Sequence, residues 1–320
     1  MLAKGNASRE ASTTHDGFST VSTDNVQVID PQNDYETLAQ YSVGNGTNPH
    51  DIAVLGTRAF ITLYNPSADP NPADVIEMDL NTGDIVNRWS FTPYLNDDGD
   101  RNGNAEKLLL VDNTLYVALQ DLSSNTFSTN ANGLIGMIDV NDNTIQGVIE
   151  LAGRNPISLS VSEDKTKLFV ANMATYDFSL GDFDLSQPYG GIETVDLTQQ
   201  QSQTLLADEN LGGYVERIVT SSAGLLAVVS QFDAASFSYG SKIVSLPLDF
   251  TSADQALVMD DSDSDIREMF VDGNYLWISR RQINISTGLT EPAIEVVDVG
   301  TFESLGELLT PAAPVMGMTK

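Results

Sequence analysis

The chain has 320 residues, 41% of them hydrophobic, no cysteine, and 45 acidic against 15 basic side chains for a formal charge of −30. Without cysteine there are no disulfides, thiolate metal sites or thiol nucleophiles. The acidic surplus opposes binding to phosphate backbones and anionic lipid, so no nucleic-acid partner is expected, and no stretch reaches the roughly 18 to 20 apolar residues of a transmembrane segment.

Residues 1–23 are polar, rich in Ser and Thr, and lack the apolar core of a signal peptide; they read as a flexible leader ahead of one domain from 24 to 320. From there a phrase recurs, in which a short apolar strand ends in Asp plus an apolar residue and then turns. Its copies are VQVID from Val26, VIEMDLNTG from Val75, IGMIDVNDN from Ile135, IETVDLTQQ from Ile192 and IEVVDVGTF from Ile294. A sixth, IVSLPLDF from Ile243, carries Pro247 in place of Asp. The markers Asp30, Asp79, Asp139, Asp196, Pro247 and Asp298 fall about 50 to 60 residues apart, the size of a propeller blade.

Ahead of five markers stands a hairpin: DIAVLGTRAFITLY from Asp51, KLLLVDNTLYVALQ from Lys107, SLSVSEDKTKLFVANM from Ser158, RIVTSSAGLLAVVSQ from Arg217 and EMFVDGNYLWISRR from Glu268. The turns GT, DN, EDKT, SAG and DGN suit tight hairpins. Each unit reads as four antiparallel strands with its longest loop between the second and third. The expected fold is therefore all-β, a six-bladed β-propeller, with seven blades as the alternative count. The chain ends are expected to share the sixth blade, where GFSTVST, NVQVID and TLAQYSV meet a C-terminal strand from APVMGMTK and leave no open sheet edge.

The segment Asn155 to Asn172, NPISLSVSEDKTKLFVAN, resembles the repeat of YVTN-type propellers, with Phe169, Val170, Ala171 and Asn172 in the place of the signature strand. The stretch from Asp98 to Pro156 is similar to bacterial exported propeller lipoproteins. The resemblance implies a propeller that is exported to the periplasm or cell surface, with a lipid anchor before processing as one route, and it implies no reaction.

Chemistry is expected in two places. In NDDGDRNGNAE, Asp98, Asp100 and Asn102 alternate ahead of Gly103 as in the first half of an EF-hand loop, with Asn104 offering its carbonyl and Glu106 an outer ligand for Ca2+. Leu109 stands where the bidentate Glu would be. DDSDSD, ending at Asp265, is a second acidic loop without glycine. At the heads of the inner strands lie His50, Asp51, Arg154, Asn155, Glu216, Arg217, Arg267 and Glu268, candidate ligand-binding residues. Above them the long loops carry Tyr176, Phe178, Phe183, Tyr189, Phe232, Phe237 and Tyr239, an aromatic collar or simple loop packing. His15 and His50 are the only histidines, which excludes a multi-histidine metal site, and no nucleophile elbow or nucleotide-binding Gly-rich loop is present.

These features point to a non-catalytic, calcium-stabilised binding or assembly module that engages a protein, a small molecule or a glycan through its loop-rich face. The alternative is a lactonase-like, calcium-dependent hydrolase, in which Glu106, Asn155, Glu216 and Glu268 hold the ion and His50 acts as base. A structural subunit of a surface layer or filament is the second alternative.

Overall fold

The computed structural model describes residues 4–6, 24–30, 33, 36–66, 71–96, 102–123, 131–173, 176–177, 182–183, 185–233, 238–248, 256–261, 264–284 and 289–309. The chain divides into two compact units, residues 1–150 and 151–320. In the first, β1 (Lys4–Asn6), β2 (Asn25–Asp30) and β3 (Glu36–Ser42) form an antiparallel sheet in that order. Two four-stranded meanders follow: β4 (Pro49–Leu55), β5 (Arg58–Leu63), β6 (Val75–Asp79) and β7 (Ile85–Trp89), then β8 (Ala105–Val111), β9 (Thr114–Leu119), β10 (Leu134–Asp139) and β11 (Thr144–Glu150).

The second unit begins with β12 (Pro156–Val161) and β13 (Lys167–Asn172), whose long connection carries the small hairpin β14 (Tyr176–Asp177) and β15 (Asp182–Phe183) before β16 (Gly191–Asp196) and β17 (Gln201–Ala207) complete the sheet. A single helical turn, α1 (Asp208–Leu211), leads into β18 (Tyr214–Ser221), β19 (Gly224–Asp233), β20 (Ser238–Leu246) and β21 (Ala256–Asp261). The last sheet is β22 (Ser264–Asp272), β23 (Tyr275–Asn284), β24 (Leu289–Asp298) and β25 (Ser304–Leu309).

The five hairpins and five of the marker phrases thus fall on five four-stranded blades. The expected count of six, and the alternative of seven, are corrected to five. The remaining phrase, VQVID, forms β2, but β2 has only two edges; β3 takes one and β1 the other, giving a three-stranded sheet among the described residues. GFSTVST and APVMGMTK, assigned to that blade from sequence, lie outside the described residues.

The strand patterns follow from burial. In β5, β9 and β13 every residue after the first is buried on both faces, which is why these strands read as near-continuous apolar runs. The outer strand β7 alternates toward solvent. Among the described residues each unit shows two apolar clusters, and full burial of side chains such as Phe60, Phe91 or Phe169 contributes about 1.5 to 3 kcal/mol apiece. The marker Asp is a turn former. Asp139 Oδ1 accepts N–H groups from Asn141 and Asp142 at 2.8 and 3.1 Å, and Asp196 and Asp298 do the same two and three residues on.

Candidate functional site

The first strand of every blade slips register near its head. Between Pro49 and Ile52, Ala105 and Leu108, Pro156 and Ser158, Val215 and Arg217, and Ile266 and Glu268, the pairing with the second strand skips. The residues between are His50 and Asp51, Glu106 and Lys107, Ile157, Glu216, and Arg267. Four of five bulges therefore present ionisable side chains. A bulge re-aims a side chain away from the regular pleat, and such bulges recur beside functional sites.

In the first three blades the residue before this strand is an asparagine in the left-handed region, at φ 50, 46 and 56 for Asn48, Asn104 and Asn155. Asparagine tolerates that backbone better than most residues. Its carbonyl accepts the N–H of the residue just past the second strand, from Tyr64, Gln120 and Met173 at 3.0, 3.4 and 3.0 Å. The head of each hairpin is thereby pinned where the bulge emerges.

In the first unit the bulges of β4 and β8 share one polar cluster. His50 Nδ1 contacts Glu106 Oε2, Asn48 Nδ2 lies 3.0 Å from His50 Nε2, and the imidazole stacks on Tyr64 with centroids 4.2 Å apart. These contacts suit the tautomer that donates from Nδ1 to the carboxylate and accepts at Nε2. Tyr64 donates to Gln120 Oε1 at 2.8 Å, Asp51 Oδ2 accepts from Leu108 N at 2.9 Å, and Lys107 Nζ lies 3.7 Å from Asp51.

Of the expected calcium ligands, Asp98 and Asp100 lie outside the described residues. Asn102 and Asn104 are buried. Asn104 Oδ1 accepts from Leu122 N at 3.0 Å, its Nδ2 donates to Tyr64 O at 3.3 Å, and Glu106 turns to His50. The last two ligands of the expected cage are engaged within the chain. Among the described residues no group of three or more His, Asp or Glu side chains is gathered as a metal site. The buried Asp74 secures the approach to this region: its oxygens accept from Phe91 N at 2.6 Å and Gly103 N at 3.0 Å, and burial raises its pKa to about 6 against those hydrogen bonds. A Cβ on Gly103 would lie 2.8 Å from Asp74 Oδ1, so the close approach requires glycine.

In the second unit, Arg154 lays its guanidinium over the Tyr189 ring at 3.6 Å, and the Arg154 backbone N–H donates to the Tyr189 carbonyl at 2.9 Å. The bulges of β18 and β22 meet in a denser network. Glu216 accepts from Ser230 at 3.0 Å, Ser230 lies 2.9 Å from Ser241, and Ser241 Oγ accepts from Ile266 N at 3.2 Å. Burial pushes the Glu216 carboxyl above the usual carboxylate range, opposed by the nearby Arg217. Arg217 donates to Glu216 O at 2.7 Å and lies 3.7 Å from Glu268. Asp265 accepts from Arg267 at 3.0 Å and from Arg281 at 2.5 Å.

The structure thus brings His50 together with Glu106, and Glu216 with Arg217, Arg267 and Glu268; Arg154 instead stacks on Tyr189. Sequence reading missed Tyr64, Gln120, Arg281 and the two serines, and it placed Asp265 only in an acidic loop. Tyr64 and Gln120 share the position just past the second strand, a signal that was available. Arg281 faces Asp265 across β22 and β23, a pairing that only the register reveals. Of the expected collar, Phe178 and Phe237 lie outside the described residues, Tyr176 pairs with Phe183 and Phe232 with Tyr239 along their strands.

No protein-family profile and no curated protein sequence matches the chain. Solved structures do match. Hydrazine synthase from Kuenenia stuttgartiensis aligns with 88% of this chain and 72% of its own at 14% identity, with a TM-score of 0.54. The nidogen/laminin complex aligns over 89% and 90% at 10% identity, with a TM-score of 0.52. At such identities the likeness shows the fold alone: the chain is an all-β propeller. No helix among the described residues is long and apolar enough to cross a membrane.

Proposed function

We propose that this propeller is a non-catalytic binding module, exported and of YVTN-like ancestry, whose ligand-binding groups stand at the heads of the first strands of its blades. The observation that carries the reading is the repeated bulge: the same position in four blades extrudes His50 and Asp51, Glu106 and Lys107, Glu216, and Arg267. His50 favours binding over hydrolysis, because both of its ring nitrogens and one ring face are already engaged by Glu106, Asn48 and Tyr64. A general base needs a nitrogen within reach of the substrate proton. Calcium belongs to the same proposal, with Asp98 and Asp100 as its ligands; calorimetric titration with calcium chloride should give a saturable heat that Asp100→Asn removes, and a flat titration at millimolar calcium discards this part.

Arrays of glycans and peptides test the main reading. The wild type should retain one ligand class, and either Glu106→Gln in the first unit or Glu216→Gln combined with Arg267→Gln in the second should weaken it by at least tenfold. Calcium-dependent turnover of a lactone or ester substrate that His50→Ala abolishes would instead establish the hydrolase.

A further inference from the structure

Nine arginines are present in a chain of charge −30, and two of them converge on one carboxylate. Arg267 Nη1 lies 3.0 Å from Asp265 Oδ2, and Arg281 Nη2 lies 2.5 Å from the same oxygen. Asp265 sits opposite Arg281 in the β22–β23 ladder, and the bulge at Arg267 swings the second guanidinium back toward the same side chain. Asp265 is nearly buried, whereas the side chains of Arg267 and Arg281 are 28% and 30% exposed. Among the described side chains in this contact, two cations face one anion. Of the neighbouring acids, Glu216 is hydrogen-bonded to Ser230 and Glu268 lies 3.7 Å from Arg217, so each has a partner of its own. Arg281 Nε is buried and has no hydrogen-bond partner. An unmatched charged donor is costly, and a guanidinium fork is complementary to a planar or tetrahedral oxyanion that accepts two hydrogen bonds.

Building on the binding reading above, we infer that Arg267 and Arg281, held apart and oriented by Asp265, form an oxyanion site that takes the carboxylate or phosphate group of a small ligand. The acidic surface does not conflict with this, because exposed charges beyond about 8 Å are largely screened at physiological ionic strength while the two guanidiniums act in contact.

Titration calorimetry of the full chain in 150 mM sodium chloride provides the test, with sodium phosphate and sodium glucuronate as separate probes to distinguish the two sources of the oxyanion. One or both should bind at a single site. Arg281→Gln and Arg267→Gln should each weaken binding at least tenfold, and Arg88→Gln, an exposed arginine of the first unit, should leave it unchanged. Arg281→Lys keeps the charge and the contact with Asp265 but loses the fork, so it should weaken binding several-fold while retaining the wild-type circular dichroism. No saturable binding of either probe, or binding that survives both glutamine variants, overturns the inference. If array ligands are still retained in that case, the oxyanion assignment alone has failed and the binding module stands.

Discussion

Asp208 ends the third blade and opens α1 with its side chain almost wholly buried; Oδ1 accepts a single 3.3 Å hydrogen bond from Val215 N and Oδ2 has no partner. Burial raises its pKa to about 8, against about 3.9 for an unfolded Asp. The folded state therefore holds a proton that the unfolded chain releases, and this group's contribution is complete below about pH 4 and is lost as pH rises toward 8. Asp208→Asn should be nearly neutral at pH 5 and should stabilise the protein relative to wild type at pH 8, measured as the difference in urea midpoints; a difference that does not grow with pH contradicts this. Gly136 makes a different residue-scale demand. A Cβ there would lie 2.4 Å from Cζ of the Phe91 ring, itself fully buried. Gly136→Ala should cost about 1 to 3 kcal/mol, read from thermal unfolding, because a close-packed core yields little.

At the scale of the element, one ladder position is filled differently from blade to blade. The residue opposite Val117, Val170 and Ile278 is Gly136, Glu193 and Glu295 in the second, third and fifth blades. Glu193 is fully buried and accepts from Ala152 N at 2.7 Å, Gly153 N at 2.9 Å and Asn172 Nδ2 at 3.2 Å, so its carboxylate closes the loop before β12. Glu193→Ala strands the buried donors of Gly153 and Asn172 and should cost about 3 kcal/mol or more in denaturant unfolding, while Glu193→Gln recovers part of it. The left-handed asparagines belong to the same scale. Asn104→Ala loses both the amide contacts and an easily adopted backbone, for about 1 to 3 kcal/mol, whereas Asn104→Gly loses only the contacts; equal losses would remove the backbone argument. Hairpins, turns and the marker Asp were legible because each depends on residues within a few positions. The bulges were not, since two residues facing one is a property of paired strands.

For the molecule as a whole, 45 acidic against 15 basic groups leave a net charge of −30 that repels itself within the folded volume. Raising ionic strength from about 0.01 to 0.15 M shortens the screening length from about 30 to 8 Å and should raise the melting temperature in calorimetry. The amino-acid sequence by itself determined the all-β class, the repeat, the five hairpins and the positions of most ionisable residues at the strand heads, because alternation, turn chemistry and repeat spacing are written locally. It overcounted the blades, since the phrase VQVID is compatible with any sheet, and only pairing decides that β2 lies between β1 and β3. Tertiary structure alone decided that Glu106 meets His50, that Arg267 and Arg281 share Asp265, and that Asp208 is left without a second partner. Each of these joins residues from different strands or depends on burial, and a carboxylate takes its chemical character from the neighbours and the solvent that folding leaves around it.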